Sequence, residues 1–280
     1  MLLLVLFFLL IRKQNSMIKS IMMFLLVFTS VAGAFLLENL QAAHVAKAVH
    51  SVKHWLDAPE ASSALTVKED YQAEIIPIKD HVLLDAPTIW QIPELPRGCE
   101  VTSLAMLLQY NGISVDKLTL ANEVKKNPAE YKLADGKIYF GDPHEGFVGN
   151  MYTYTQPGLG VYHEPIAELA EKYLPRKIED LTGADFQELK IHLSDSRPVW
   201  VIINTEYKKL DDSFFQTWYT PSGEVKVTTK EHSVLLTGYD NDFIYFNDPL
   251  TGQKNKKAPM HDFVEAWVQM GSQAITYLPY

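Results

Sequence analysis

The residues best suited to covalent chemistry begin with a single cysteine. Cys99 is the one cysteine of the chain, and it follows Gly98 in the stretch PELPRGCEVTSLAMLLQYNG. Apolar residues recur after it at helical spacing, which predicts a helix over Cys99–Tyr110. Because a helix N-terminus and a nearby imidazolium both lower the pKa of a thiol, this position is typical of an activated nucleophile. The alternative is a buried cysteine that acts as a small hydrophobic side chain.

A histidine and an acid at the two ends of a predicted hairpin offer the base that a thiol needs. His232 begins the run HSVLLTGYD, and Asp248 lies sixteen residues later in FNDP. An antiparallel strand pair returns the chain to the same end of a sheet, so the two side chains are expected to meet there. Asp248 would then fix the tautomer of His232. Asn247 is the alternative orienting residue, and Asp248 would then be a turn residue.

A glutamine upstream of the cysteine is a candidate donor to an oxyanion. Gln91 lies eight residues before Cys99, directly after a β-like run over residues 81–91. Acyl transfer needs hydrogen-bond donors for the developing negative charge, and the Cys99 backbone N–H is a second candidate. The simpler alternative for Gln91 is a polar residue at the end of a strand.

The elements that must position these side chains follow an α+β order. Helices are predicted first and an antiparallel sheet second, with a long ordered loop at 133–161. Besides the first helix, the predicted helices cover 116–126, 164–173, 184–193 and 261–268. The predicted strands cover 197–204, 214–220, 224–229, 232–240, 243–249 and 273–278.

Composition narrows the class of protein. The chain has 280 residues and a net charge of −9, and its first 37 residues hold three basic residues and no acid. The remainder therefore carries −12, which argues against a nucleic-acid partner because phosphate contacts need clustered Lys and Arg. With one cysteine the chain forms no internal disulfide.

The N-terminal residues resemble an export signal. Residues 1–37 contain a basic flank followed by the apolar run IMMFLLVFTSVAGAFLL, which predicts either a cleaved signal peptide or a retained membrane anchor. Met17 is an alternative start, and a buried N-terminal helix of a cytoplasmic protein is the remaining alternative. The predicted location is therefore extracellular or at the cell surface, with possible membrane contact through this segment. Residues 38–80 are expected to form an amphipathic helix and a linker, and residues 81–280 the domain.

The stretches around the cysteine and histidine carry a family resemblance. WQIPELPRGCEVTSLAMLLQYNG, GFVGNM, EHSVLLTGYD and FNDPLTG resemble the C39-like cysteine peptidase domains of bacteria. The resemblance implies a papain-like fold over about residues 82–279, with Cys99 as nucleophile, His232 as general base and acid, and Asp248 as orienting residue. Gln91 matches the oxyanion position by chain order. No Walker motif is present, so the transporter role of some relatives is not expected.

The sequence therefore predicts a cysteine peptidase acting on a peptide or protein, without cofactor or metal. A different thiol acyl-transfer enzyme, such as an amidase, a transglutaminase-like enzyme or a cell-wall peptide hydrolase, and an inactive peptide-binding module are the alternatives. Asp142, His144 and Glu145 lack the spacing of metal ligands. Four aromatic residues could line a substrate groove or pack elsewhere: Tyr152, Tyr154, Tyr162 and Trp218.

Overall fold

The computed structural model describes residues 76–279. Its helices are α1 (Cys99–Tyr110), α2 (Lys117–Glu123), α3 (His163–Tyr173), α4 (Phe186–Ser194) and α5 (Met260–Gln269). Its strands are β1 (Val82–Leu83), β2 (Lys126–Asn127), β3 (Lys132–Ala134), β4 (Lys137–Tyr139), β5 (Phe147–Val148), β6 (Ile178–Asp180), β7 (Val199–Asn204), β8 (Gln216–Thr220), β9 (Gly223–Val227), β10 (Glu231–Tyr239), β11 (Phe243–Asp248), β12 (Gln253–Pro259) and β13 (Ala274–Tyr277).

One antiparallel sheet organises these elements. Its strand order is β12-β11-β10-β7-β13-β6, and β1 also pairs with β10. The predicted mixed α/β class with an antiparallel sheet is confirmed. Two early segments, β1 and β6, join this sheet, so the helices and the sheet are less cleanly separated along the chain than the sequence indicated.

Helices cover both faces of the sheet because its central strands are buried on both sides. In β7, Trp200 and Ile202 pack into the core around α1 and α3, whereas Val201 and Ile203 pack into the core under α4 and α5. This alternation is the period of two expected for a strand. The first ten residues of α1 are all buried, so this helix lies inside the domain. A fully buried leucine contributes about 1.5–3 kcal/mol, so this burial holds the start of α1 in place.

The segment predicted as a long loop contains regular structure, and that prediction was wrong. A second sheet has the order β3-β4-β8-β9, with β4 and β8 parallel, and β2 pairs with β5. The strands of the segment itself, β3, β4 and β5, have two or three residues each, which is too short for a periodic pattern to show in the sequence.

Other element boundaries differ from prediction. The β-like run at 81–91 contains only the two-residue strand β1, and residues 76–80 have no regular structure. The strand β12 was missed because its lysine-rich sequence lacks an apolar alternation. The signal or anchor segment and nearly all of the predicted amphipathic helix and linker lie outside the described residues. Within 76–279 no helix is long and apolar enough to cross a bilayer.

Candidate active site

Cys99 is the first residue of α1 and is buried, with 6% of its surface exposed. Gly98 precedes it because the chain is tightly packed there. A Cβ on Gly98 would lie 2.6 Å from the Cβ of Leu95. No side chain caps the helix, so its first backbone N–H groups remain available at the end where Cys99 lies. The predicted helix therefore begins at the residue that the sequence indicated.

His232 and Asp248 form a buried hydrogen-bonded pair. His232 is the second residue of β10, Asp248 is the last residue of β11, and the two strands are antiparallel neighbours. The His232 Nε2 atom lies 2.9 Å from Asp248 Oδ1, with the two side chains 2% and 0% exposed. Because Asp248 occupies Nε2, the imidazole nitrogen left for proton exchange is Nδ1.

The Asp248 carboxylate is held by several further donors. Its Oδ2 accepts hydrogen bonds from Thr251 Oγ1 at 2.7 Å, Lys256 Nζ at 2.9 Å and Tyr207 Oη at 2.9 Å. Burial alone would raise the pKa of Asp248, but the interactions with His232, Lys256 and Thr251 outweigh it and hold that pKa well below its usual range. Asp248 is therefore an ionised, fixed acceptor at neutral pH.

Asn247, the alternative orienting residue, has other partners. Its Nδ2 donates to the backbone oxygens of Ala86 and Pro87 at 3.1 and 2.9 Å, and its Oδ1 accepts from the Asn255 backbone N–H. Asn247 thus fastens the segment after β1 to the sheet, and the structure brings Asp248 to His232 instead.

Gln91 is buried beside Cys99. Its Nε2 donates to the Pro96 backbone oxygen at 2.8 Å, which leaves a second amide hydrogen for another acceptor. Within the described part of the chain its Oε1 has no hydrogen-bond partner. The backbone N–H of Gln91 donates to Pro249 at 2.8 Å, which ties this residue to the turn that follows Asp248.

One cavity of about 250 Å³ brings the predicted residues together. Cys99, His232 and Gln91 all line it, and Asp248 lies behind His232. Its remaining walls are Pro96, Arg97, Tyr154, Gly158, Leu159, Thr205, Thr229, Glu231 and Leu250.

Of the four aromatic residues considered for a groove, only Tyr154 lines this cavity. Tyr152 is 48% exposed. Tyr162 and Trp218 pack in hydrophobic cores and are 5% and 4% exposed, so the packing alternative applies to them.

Two buried glutamates beside Cys99 were missed in the sequence. Glu100 is fully buried, and Glu231 is 8% exposed. The Cys99 thiol donates to Glu100 Oε2 at 3.3 Å, and Glu231 lines the same cavity as Cys99. The sequence offered one signal for them, which is that each glutamate is adjacent to a predicted site residue: Glu100 follows Cys99, and Glu231 precedes His232.

These carboxylates reverse the expected electrostatics of the thiol. Burial, followed by the negative charges of Glu100 and Glu231, raises the pKa of Cys99 well above its usual range. Burial also raises the pKa of Glu100 to about 7. The expectation of a lowered thiol pKa was therefore wrong for the resting site, because burial and the neighbouring acids outweigh the effect of the helix N-terminus.

The acidic loop considered for a metal joins a different cluster. His144 Nδ1 lies 2.8 Å from Glu164 Oε1, and His163 Nε2 lies 3.2 Å from the same oxygen. Asp142 accepts from the His144 backbone N–H, and Glu145 accepts from the Asn127 side chain. His144, His163 and Glu164 could each offer one metal-ligand atom, but these atoms are engaged with one another or with Asp180.

Comparisons with known proteins assign this mixed α/β domain to a family. Residues 83–275 match the Peptidase_C39 like family, and the chain belongs to it. The chain is 42% identical over 230 residues to the uncharacterized protein YvpB of Bacillus subtilis (strain 168), a match covering 81% of this chain and 86% of YvpB.

Two solved structures are similar. A crystal structure of a proposed C39-like peptidase from Bacillus anthracis is 50% identical, with a TM-score of 0.67, covering 72% of this chain and 99% of that one. Xylellain, a cysteine protease from Xylella fastidiosa, is 13% identical with a TM-score of 0.38, covering 75% of this chain and 89% of that one.

Proposed function

We propose that this protein is a cysteine peptidase with a papain-like arrangement of Cys99, His232 and Asp248. The observation that carries the proposal is one cavity lined by Cys99, His232 and Gln91, with Asp248 hydrogen-bonded behind the histidine at 2.9 Å. Membership of a peptidase family supports a peptide or protein as the substrate class.

In this mechanism the Cys99 thiol transfers its proton to His232 Nδ1 as its sulfur attacks the peptide carbonyl. Asp248 keeps Nε2 protonated and stabilises the imidazolium that forms. The imidazolium then protonates the leaving amine, and water releases the acyl group from Cys99. The backbone N–H of Cys99 and the unused Nε2 hydrogen of Gln91 are the proposed donors to the oxyanion.

The direct test is cleavage of an unfolded protein by the full chain, with new termini identified by mass spectrometry. Cys99→Ser and His232→Ala are each expected to lower kcat by roughly 10³-fold or more, as for other activated nucleophiles. His261→Ala is the matched control because His261 is exposed on α5. Formation of new amide bonds, or release of cell-wall peptides without cleavage of proteins, would favour the other acyl-transfer enzymes.

One observation favours an inactive peptide-binding module as a second candidate. The resting thiol is buried and donates to Glu100, so its proton is held away from the imidazole. The same experiment separates the two candidates. Binding of peptides without turnover, by the wild type as by Cys99→Ser, would support the module.

Export is a separate proposal that rests on residues 1–37. In a bacterial host, the full chain is expected outside the cytoplasmic membrane, where externally added protease degrades it in intact cells. Deletion of residues 1–37 should retain the protein inside. N-terminal sequencing of the exported protein then separates a cleaved signal from a retained anchor.

A further inference from the structure

Two carboxylates lie against the sulfur of Cys99. The Sγ atom and one oxygen from each of Glu100 and Glu231 lie within 4.8 Å of one another. Strand alternation explains the arrangement, because the Leu235 side chain of β10 packs in the core around α1 and Glu231, four residues earlier, lies on the same face. Gly160 completes the packing: a Cβ there would lie 2.6 Å from Glu231 Oε2 and closer still to Glu100 Oε1.

The two carboxylates differ in how their oxygens are used. Glu100 accepts the Val161 backbone N–H at 2.7 Å and the Cys99 thiol at 3.3 Å. Glu231 Oε1 is buried and, among residues 76–279, has no hydrogen-bond partner. Burial raises the pKa of Glu100, and the charge of Lys126 partly offsets this effect. Burial, followed by the charge of Glu100, raises the pKa of Glu231 well above its usual range, so Glu231 lies in the wall of the cavity as an acid without a counter-charge among the described residues.

An unpaired buried carboxylate is costly, because loss of hydration is not offset by a counter-charge or a donor. A ligand that brings the missing positive charge recovers that cost on binding. We propose that Glu231, with Glu100 behind it, binds a cationic group of the substrate, an ammonium or a guanidinium, next to Cys99. This inference rests on the proposed peptidase function and names its substrate class.

The cation that already lines the cavity does not fill this role. The Arg97 guanidinium donates to the backbone oxygens of Asn150, at 3.1 Å, and Thr153, and it lies 4.9 Å from the ring centre of Tyr154. Arg97 is therefore committed to the loop that holds Tyr154. Within the described part of the chain Glu231 is thus left without a counter-charge, and a substrate cation would bind there by stabilising its ionised form.

Such binding would also act on the nucleophile. The charges of Glu100 and Glu231 raise the pKa of Cys99, and a cation beside them offsets that effect. The thiol would then lose its proton more readily when a cationic substrate is bound than when the cavity is empty. The same two carboxylates would thus provide both the specificity for a cationic substrate and the activation of Cys99 when that substrate is bound.

The first test uses thiol reagents of opposite charge and needs no peptidase activity. Cys99 is the only cysteine, so modification of the full chain by 2-aminoethyl or 2-sulfonatoethyl methanethiosulfonate reports on this site alone. Both reagents need the same thiolate, so the ratio of their rates cancels changes in its amount. The ratio is followed as the pH rises, and once Glu231 is ionised the cation-to-anion ratio is expected to be about tenfold lower in Glu231→Gln than in the wild type.

Glu188→Gln is the matched control, because Glu188 is exposed on α4, and it should keep the wild-type ratio. Glu231→Met is the second variant if Glu231→Gln does not fold, since an apolar side chain of similar size can replace a buried charge without loss of stability. An unchanged ratio in the folded variants overturns the inference.

The second test distinguishes the source of the cation. N-acetylated, amidated alanine hexapeptides with one lysine at each position are compared with norleucine analogues and with a lysine-free peptide that has a free N-terminus. If one lysine position gives a kcat/KM at least tenfold higher than its norleucine analogue, the cation is a side chain. If the free-amine peptide shows that preference instead, the cation is an α-amine. Glu231→Gln should remove the preference.

The two proposals fail in different ways. Equal kcat/KM for the lysine, norleucine and free-amine peptides overturns the cation site and leaves the peptidase intact. No turnover of any peptide, together with a reagent ratio that depends on Glu231, counts against the peptidase and leaves the cation site supported.

Discussion

Cys99 donates its thiol hydrogen bond to Glu100 Oε2 at 3.3 Å, so the resting nucleophile is paired with a buried acid. Because burial and the nearby carboxylates raise the pKa of the thiol, Cys99 is expected to react slowly with iodoacetamide at pH 7 and faster as the pH rises. Removing one negative charge in Glu100→Gln should lower the thiol pKa and speed alkylation at pH 7 by roughly tenfold, the equivalent of one pKa unit.

Glu188→Gln again serves as the control for this alkylation experiment. A wild-type Cys99 that reacts at pH 7 as fast as a free cysteine would contradict the expectation. It would indicate instead that the thiol has already passed its proton to His232.

Asp248 is expected to act as a positioning residue through His232. Asp248→Ala removes the acceptor of the Nε2 proton, and kcat should fall roughly 10²–10⁴-fold while KM changes little. Asp248→Asn retains an oxygen acceptor and should lose less. Steady-state kinetics with Asp242→Asn, an exposed acid at the β10–β11 turn, provides the control. A proportional rise in KM would instead indicate a general distortion of the cavity.

Lys256 is expected to stabilise the fold through the buried Asp248. Lys256→Met leaves that carboxylate with one charged donor fewer, which should cost about 1–3 kcal/mol in urea unfolding at pH 7. A carboxyl group with a depressed pKa stabilises the fold at pH values above its unfolded-state pKa, and this stabilisation is lost as the pH falls. The variant should therefore also unfold at a higher pH on acidification.

Lys254→Met is the matched variant for Lys256→Met. Lys254 pairs with Asp85, whose side chain is 94% exposed, and exposed pairs contribute about 0–1 kcal/mol. Equal unfolding free energies for the two variants would contradict a special role for Lys256.

His163 is expected to stabilise the protein at neutral but not at alkaline pH. Burial alone would lower its pKa, but the hydrogen bonds and charges of Asp180 and Glu164 outweigh it and raise that pKa to about 9. A histidine with a raised pKa stabilises the folded state fully below its unfolded-state pKa of about 6.5. This stabilisation is lost as the pH rises through 9. The Tm difference between wild type and His163→Gln should therefore shrink between pH 6 and pH 10.

His261→Gln, which removes an exposed histidine of α5, should leave Tm nearly unchanged over the same range. A constant Tm difference between wild type and His163→Gln would mean that the ring packs without titrating.

Much of the candidate site was predictable because its signals are local. The helix over Cys99–Tyr110 follows from apolar spacing and is observed with those bounds. The hairpin that brings His232 to Asp248 follows from two β-branched and aromatic runs separated by a short turn. The choice between Asp248 and Asn247 did not follow, because adjacent strand residues face opposite sides and only the register decides which one meets the histidine.

The sequence by itself determined the candidate nucleophile, its histidine and the α+β class, since residue type, spacing and periodicity are properties of short stretches. The tertiary structure decided the environment of the thiol. Glu100 and Glu231 are 131 positions apart and meet only because α1 packs on β10. A pKa depends on burial and on charges a few ångströms away, and those distances are set by packing between elements distant in sequence.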